Sequence, residues 1–118
     1  MVETMVYGLI FLEHTKLTAR DQRDGILQFA KKRHIQINEF VSFNNNPNIF
    51  MFNPGDTIIC YAWNCLCQEM PFMRKFIQHM LKNRIYIYSA TSQYHIAPPM
   101  DIDTLHYAFS LRKDNVLL

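Results

Sequence analysis

Two cysteines separated by one residue form the most chemically distinctive motif in the chain. Cys65 and Cys67 directly follow Thr57–Trp63, a short apolar run rich in residues that favour β-structure. Thiolates bind zinc and act as nucleophiles, and α/β proteins place such groups beyond the carboxyl end of a central strand. The spacing differs from that of structural zinc sites, and no second ligand pair follows at a motif spacing. We therefore predict no metal site, and no neighbouring charge marks either thiol as reactive.

A carboxylate and an imidazole follow an earlier apolar run, Met5–Leu12. If the two runs are neighbouring parallel strands, these groups lie at the same edge of the sheet as the cysteines. Together they could perform acid–base or nucleophilic chemistry on a small molecule. Because adjacent loop residues often point apart, a surface carboxylate and histidine without a catalytic role are the favoured alternative. The candidate crevice consists of Glu13, His14, Asn64, Cys65 and Cys67.

The elements that must position these residues alternate between strand and helix patterns. Pro54, Gly55 and Asp56 predict a turn before the central strand. The alternation predicts a single three-layer α/β domain with a four- or five-stranded, mostly parallel sheet. The predicted strands are Met5–Leu12, Ile35–Phe43, Thr57–Trp63 and Ile85–Ser89, and the predicted helices cover residues 18–33, 71–82 and 101–112.

The first predicted helix has Thr18 as N-cap and Asp21 three residues later. Its apolar positions predict that Ile26, Leu27 and Ala30 form the buried stripe. Upstream of the central strand, residues 49–52 form a compact apolar run. We expect this run to pack on the core, because exposed apolar patches of this size are uncommon on monomers, and an exposed docking patch is the alternative.

Five blocks of sequence carry a family resemblance that spans roughly residues 5 to 96. They are Tyr7–Gly8, Asp21–Arg23, Gly25–Lys32, Ile35–Phe40 and Gly55–Ile59. Their order and spacing resemble the catalytic domain of the serine recombinases, the resolvases and DNA invertases. The resemblance implies one resolvase-like domain over residues 1–118, with sheet order 2-1-3-4 and a possible antiparallel edge from residues 92 to 97. We expect residues 113–118 to be a loose tail.

The chemistry of that family is missing from the matching positions. The family pattern at the end of the first strand is Tyr-x-Arg-x-Ser, in which the serine attacks a DNA phosphate. Here Phe11 occupies the arginine position and Glu13 the serine position. A carboxylate cannot replace that hydroxyl and repels the phosphate that it should attack.

A second family pattern, Asp-Arg-Leu-x-Arg, follows the central strand. The corresponding positions include Asn64, Cys65 and Gln68, so both arginines are replaced. Such cations usually provide a large share of the charge stabilisation in phosphoryl transfer. Of the family's polar set in this region only Gln22 matches. The resemblance is therefore one of fold, and we predict that recombinase activity is absent.

A domain that has lost this chemistry is expected to act by binding. The first hypothesis is a regulatory protein that contacts a second copy of itself or an active recombinase. In the family the C-terminal helix forms the dimer, so Leu105, Tyr107 and Phe109 are the candidate interface. The second hypothesis is an enzyme of another class that uses the crevice described above.

Composition limits the remaining possibilities. The chain has 118 residues, 49% of them hydrophobic, which suits one globular domain. Its formal charge of +2 does not predict a nucleic-acid footprint, so DNA binding by the chain alone is doubtful. No apolar run is long enough for a membrane span and no signal peptide is visible, so we expect a cytoplasmic protein. The three glycines are isolated, which predicts no phosphate loop and no cofactor.

Overall fold

The structure, a computed structural model, describes residues 4–14, 16–44, 51–62, 65, 70–91 and 95–96, with the backbone alone for residues 70–74 and 95–96. The predicted C-terminal helix and tail, and Asn64, Cys67 and Gln68, lie outside the described residues. The elements are β1 (Val6–Phe11), α1 (Ala19–Lys32), β2 (Glu39–Phe43), β3 (Thr57–Cys60), α2 (Met70–Lys82), β4 (Tyr86–Ser89) and β5 (His95–Ile96).

The strands form one five-stranded sheet in the order β2-β1-β3-β4-β5. The first four are parallel, and β5 pairs with β4 in the antiparallel direction. This confirms the predicted α/β fold, the 2-1-3-4 order and the antiparallel edge. The carboxyl ends of β1 and β3 therefore lie side by side, where the sequence placed the candidate crevice.

Helix α1 begins at the predicted cap. The Thr18 hydroxyl accepts the backbone N–H of Asp21 at 3.1 Å, and the Asp21 carboxylate accepts the N–H of Thr18 at 3.3 Å. This reciprocal pair satisfies two backbone donors at the helix start. The prediction for the buried stripe was wrong at Leu27, which is 43% exposed. The buried positions are Gln22, Ile26 and Ala30, spaced four residues apart on the face toward the sheet.

Helix α2 covers the opposite face of the sheet. Its described apolar side chains Phe76, Ile77 and Met80 are each 1% exposed or less. They form one cluster with alternate side chains of β1, β3 and β4, which include Leu9, Ile58 and Ile87. Phe52 joins this cluster with its ring 5.2 Å from that of Tyr7, so its side chain packs on the core as predicted for the apolar run.

All four predicted strands are longer than those observed, two of them by three or more residues. β2 begins at Glu39 rather than Ile35. The N–H of Ile35 instead bonds the carbonyl of Ala30 in α1 at 2.8 Å, and the side chain of Asn38 accepts the N–H of Val6 at 2.7 Å. β3 ends at Cys60 rather than Trp63, where the chain bends at Tyr61 and Ala62. Both differences are local, and neither moves a strand in the sheet order.

A close approach occurs at Gly8, inside β1. A Cβ atom built there would lie 2.5 Å from the ring of Phe40 on the neighbouring strand β2. The glycine therefore makes room for the aromatic ring. Among the described residues, no helix is both long and apolar enough to cross a membrane.

Candidate functional site

The candidate site is the carboxyl edge, which we define as Phe11 at the end of β1, residues 12–14 after it, and Tyr61, Ala62 and Cys65 after β3. β1 and β3 are hydrogen-bonded neighbours, with Leu9 opposite Cys60. Their following segments therefore leave the sheet at adjacent positions. This arrangement is the one that α/β proteins use to place catalytic side chains.

Phe11 occupies this edge as an apolar core residue. It is 4% exposed, and its ring stacks on Phe43 of β2 with centroids 5.4 Å apart and planes 19° apart. The ring of His14 contacts it edge-on at 6.3 Å. The side chain of Phe11, which the sequence analysis aligned with the family arginine, is thus engaged in aromatic packing.

Gln22 is the residue that matches the family, and its side chain is committed to the backbone. It has no exposed surface. Its Oε1 accepts the N–H of Phe11 at 2.8 Å, while its Nε2 donates to the carbonyl of Phe11 at 2.8 Å and to that of Leu17 at 3.1 Å. The amide therefore fastens α1 to the end of β1 and to the loop between them. In this arrangement Gln22 has a structural role and no surface on which to contact a ligand.

The sequence analysis predicted that Glu13 and His14 belong to the candidate crevice. Glu13 is exposed. The Nδ1 atom of His14 accepts two backbone N–H groups, those of Lys16 and Leu17, each at 3.0 Å. An acceptor nitrogen carries no proton, so these bonds assign the ring proton to Nε2. The imidazole thus uses its basic nitrogen to hold the loop after β1, which disfavours a role as general base.

Cys65 lies inside the core rather than in an open crevice. It has no exposed surface, and burial raises the pKa of its thiol to about 11, although a backbone hydrogen bond with Ala62 opposes the rise. A thiolate is the reactive form, and a pKa this high suppresses it near neutral pH. The structure therefore disfavours Cys65 as a nucleophile. Cys60 is likewise fully buried and is a core residue.

Two features of the edge escaped the sequence analysis. The ring of Tyr61 lies over Gly25 of α1, where an added Cβ would meet it at 2.1 Å. Ser89 ends β4, and its hydroxyl lies 3.5 Å from the Tyr61 carbonyl and 3.5 Å from the Thr91 hydroxyl. Ser89 is 1% exposed, so it is a buried turn residue at this edge. The contacts of Tyr61 with Gly25 and with Ser89 have no local sequence signal, because they join residues far apart in the chain.

The edge does not assemble a catalytic group from its described members. Asn64, Cys67 and Gln68 lie outside the described residues, so the structure does not test their predicted proximity to Glu13 and His14. Within the described ranges, no three His, Cys, Asp or Glu side chains are grouped as metal ligands. What the described part of the edge offers is packing and backbone hydrogen bonding.

Comparisons with known proteins add one finding. No protein-family model matches the chain, and no curated protein matches it significantly. Among solved structures, the chain is similar to the N-terminal catalytic domain of TP901-1 integrase, with a TM-score of 0.61. The superposition covers 93% of this chain and 93% of that chain. The fold is that of a resolvase-like catalytic domain.

At 11% sequence identity the likeness to the integrase domain shows the fold alone. It agrees with the observed strand order and with the fold implied by the sequence resemblance. Which chemistry the edge performs must be argued from its own residues.

Proposed function

We propose that the chain is a recombinase-related domain that has no recombinase activity and acts by binding a protein. The observation that carries this proposal is how the side chains of Gln22 and Phe11 are buried and bonded. The residue at the family arginine position is packed in the core, and the one matching polar side chain is fully occupied by backbone groups. Glu13, at the serine position, brings a negative charge to a site that must accept phosphate.

The second candidate function, an enzyme that uses the crevice, has less support. Its thiol is buried with a raised pKa, and its imidazole holds two backbone N–H groups. Both arrangements make the thiol and the imidazole less reactive rather than more reactive. We therefore keep binding as the proposed function.

The loss of catalysis is tested with the purified full chain and an end-labelled random-sequence DNA duplex library. Serine recombination links the protein covalently to a DNA phosphate, so activity leaves a complex that survives denaturation with detergent. We expect no such complex. A covalent adduct would overturn the proposal, and peptide mapping of the adduct would identify the nucleophile. The variant Glu13→Ser is the matched control, because we expect it to stay inactive with Phe11 still in the arginine position.

The partner is expected to be a second copy of the chain or an active recombinase, bound through Leu105, Tyr107 and Phe109. Light scattering after size-exclusion chromatography measures the mass of the wild-type chain and of Phe109→Glu over a range of concentrations. A dimer that Phe109→Glu abolishes would support self-association. Binding to a purified recombinase, again reduced by Phe109→Glu, would support the second partner.

Ser110→Glu is the matched control for these measurements, because its predicted position lies on another side of the helix and the added charge is the same. Equal loss of binding in both variants would show a general charge effect rather than an interface at Phe109. A monomer that binds no recombinase would contradict the proposed mode of action, whatever the result of the DNA assay.

A further inference from the structure

The loop that joins β1 to α1 is held closed by one imidazole. The Nδ1 atom of His14 accepts the backbone N–H groups of Lys16 and Leu17, each at 3.0 Å. The carbonyl of Leu17 in turn accepts the side-chain amide of Gln22 at 3.1 Å. Both backbone groups of Leu17 are therefore held by side chains, and the side chain that holds its N–H is of a type that titrates near neutral pH.

This use of Nδ1 requires a neutral ring. A neutral imidazole has one acceptor nitrogen, whereas an imidazolium carries a proton on both nitrogens and has no acceptor. Turning the ring of a protonated His14 would therefore not restore a partner for the N–H of Lys16 or Leu17. The two N–H groups would face a third donor, so protonation replaces two hydrogen bonds with repulsion.

The charged groups of the loop and of α1 offer an imidazolium little compensation. Glu13 is exposed, and no carboxylate of the described residues forms an ion pair with His14. In the first turns of α1, the carboxylate of Asp21 accepts a backbone N–H, and Arg20 pairs with the next carboxylate along the helix. Lys16 and the N-terminal end of the helix both add positive charge beside the loop.

The strands add no charge at this position. The ring of His14 contacts Phe11 at the end of β1, and Phe11 stacks on Phe43 of β2. After β3, the described titratable residues of the carboxyl edge are Tyr61 and Cys65. Phenol and thiol groups are uncharged in the range where histidines titrate. Protonation of His14 would therefore leave a cation without a counter-charge in the closed loop.

We propose that the loop after β1 is a pH-sensitive switch, closed while His14 is neutral and opened when His14 is protonated. Closure belongs to neutral pH, and opening to mildly acidic pH, where histidines become protonated. Glu13 is part of both this loop and the carboxyl edge, so opening changes the shape of that edge. Any contact made there then depends on pH. This inference depends neither on the identity of a partner nor on the absence of recombinase activity.

Amide hydrogen exchange of the full chain tests the proposal, when it is followed by NMR and corrected for the intrinsic effect of pH on exchange. In the wild type we expect protection of the Lys16 and Leu17 amides to fall about tenfold between about pH 7.5 and about pH 5, because two hydrogen bonds are lost. The N–H of Phe11, which is bonded to Gln22, should stay protected at both pH values and shows that the fold is kept.

His14→Asn is the matched variant, because an asparagine side chain accepts backbone N–H groups a few residues further along the chain but does not titrate. We expect it to protect both amides equally at the two pH values, whereas His14→Ala should protect them at neither. Equal protection in the wild type at both pH values would overturn the proposal. An equal loss in His14→Asn would also overturn it, because another group, such as Glu13 or Asp21, would then be responsible.

The ring itself gives a second readout, which decides the question if His14→Asn does not hold the loop at neutral pH. The ring nitrogens of His14 report its protonation by NMR in the wild type. Exchange of the Lys16 and Leu17 amides should change with the same midpoint as the ring. Different midpoints for the ring and for the two amides would contradict a switch operated by His14.

Discussion

The amide of Gln22 has three backbone partners and no exposed surface. A buried amide is stabilising only while its hydrogen bonds are made, and its partners depend on it equally. Both the N–H and the carbonyl of Phe11 are hydrogen-bonded to this one side chain. Gln22, the residue that matches the family pattern, therefore also connects α1 to β1.

Replacing Gln22 by Leu should strongly destabilise the fold. The change keeps a side chain of similar size but leaves the backbone groups of Phe11 and Leu17 without their amide partner. We expect the free energy of unfolding to fall by about 2–4 kcal/mol, measured by urea denaturation. Gln28→Leu, the same substitution at an exposed position of α1, should change it by less than about 0.5 kcal/mol. Equal effects at the two positions would refute the structural role of Gln22.

The buried thiol of Cys65 predicts a pH dependence. Burial raises its pKa from 9.0 to about 11, so the folded state favours the neutral thiol. Its contribution to stability is complete below pH 9, the unfolded value, and is lost as the pH rises to about 11. The loss corresponds to about 2–3 kcal/mol.

Urea denaturation between pH 8 and pH 11 measures this effect. Cys65→Ala should be less stable than the wild type at pH 8, because it leaves a small cavity, but its stability should fall less steeply with pH. Tyr7, whose pKa is also raised by burial, is present in both proteins and cancels in the comparison. Parallel pH profiles would show that the thiol is not desolvated as described.

Helix α1 and the bend after β3 approach each other at one point. The ring of Tyr61 lies where a side chain at Gly25 would have to be. A glycine inside a helix costs about 1 kcal/mol relative to alanine, so its presence here opposes the local propensity. The contact between the two elements accounts for this cost.

The effect of Gly25→Ala on stability should therefore change sign when Tyr61 is replaced. In the wild type we expect it to destabilise the protein by about 1–3 kcal/mol, because the new methyl group overlaps the tyrosine ring. In a Tyr61→Ala background the same change should stabilise by up to about 1 kcal/mol through helix propensity. A double-mutant cycle with thermal denaturation gives both values. The same effect in both backgrounds would show that the ring does not set the approach of helix and strand.

Across the whole molecule, Asp56 ties together the amino ends of three strands. Its carboxylate accepts the N–H of Met5 at 2.9 Å and that of Asn53 at 2.8 Å, and its backbone carbonyl accepts the N–H of Tyr86 at 3.0 Å. It is 1% exposed. Asp56 thus connects the amino ends of β1, β3 and β4. These ends lie opposite the carboxyl edge, where the candidate site is.

Asp56→Ala should lower the free energy of unfolding by about 1–3 kcal/mol, because two part-buried backbone N–H groups lose their acceptor. The backbone bond to Tyr86 is kept, so we expect the sheet order to survive. Denaturation monitored by circular dichroism measures the change. Asp24→Ala, at an exposed carboxylate whose Arg20 partner is 3.9 Å away, is the control and should have little effect. A loss at Asp56 no larger than that at Asp24 would contradict its role.

The order of elements, the cap at Thr18 and the apolar runs of the strands could be predicted from the sequence because each is a local property. Apolar periodicity and capping depend on residues a few positions apart, and the sheet order followed from the family resemblance. The prediction that the family serine and arginines are replaced also rests on the sequence alone, since it depends on residue identity at the aligned positions.

Other properties depended on contacts between distant parts of the chain. Local periodicity placed Leu27 in the core, whereas the position of α1 against the sheet exposes it and buries Gln22. The ring of Tyr61 meets Gly25, and Asp56 meets Met5, only because the sheet brings these segments together. The tertiary structure thus decided which polar residues are structural, because burial and hydrogen-bond partners are set by the whole fold rather than by neighbours in sequence.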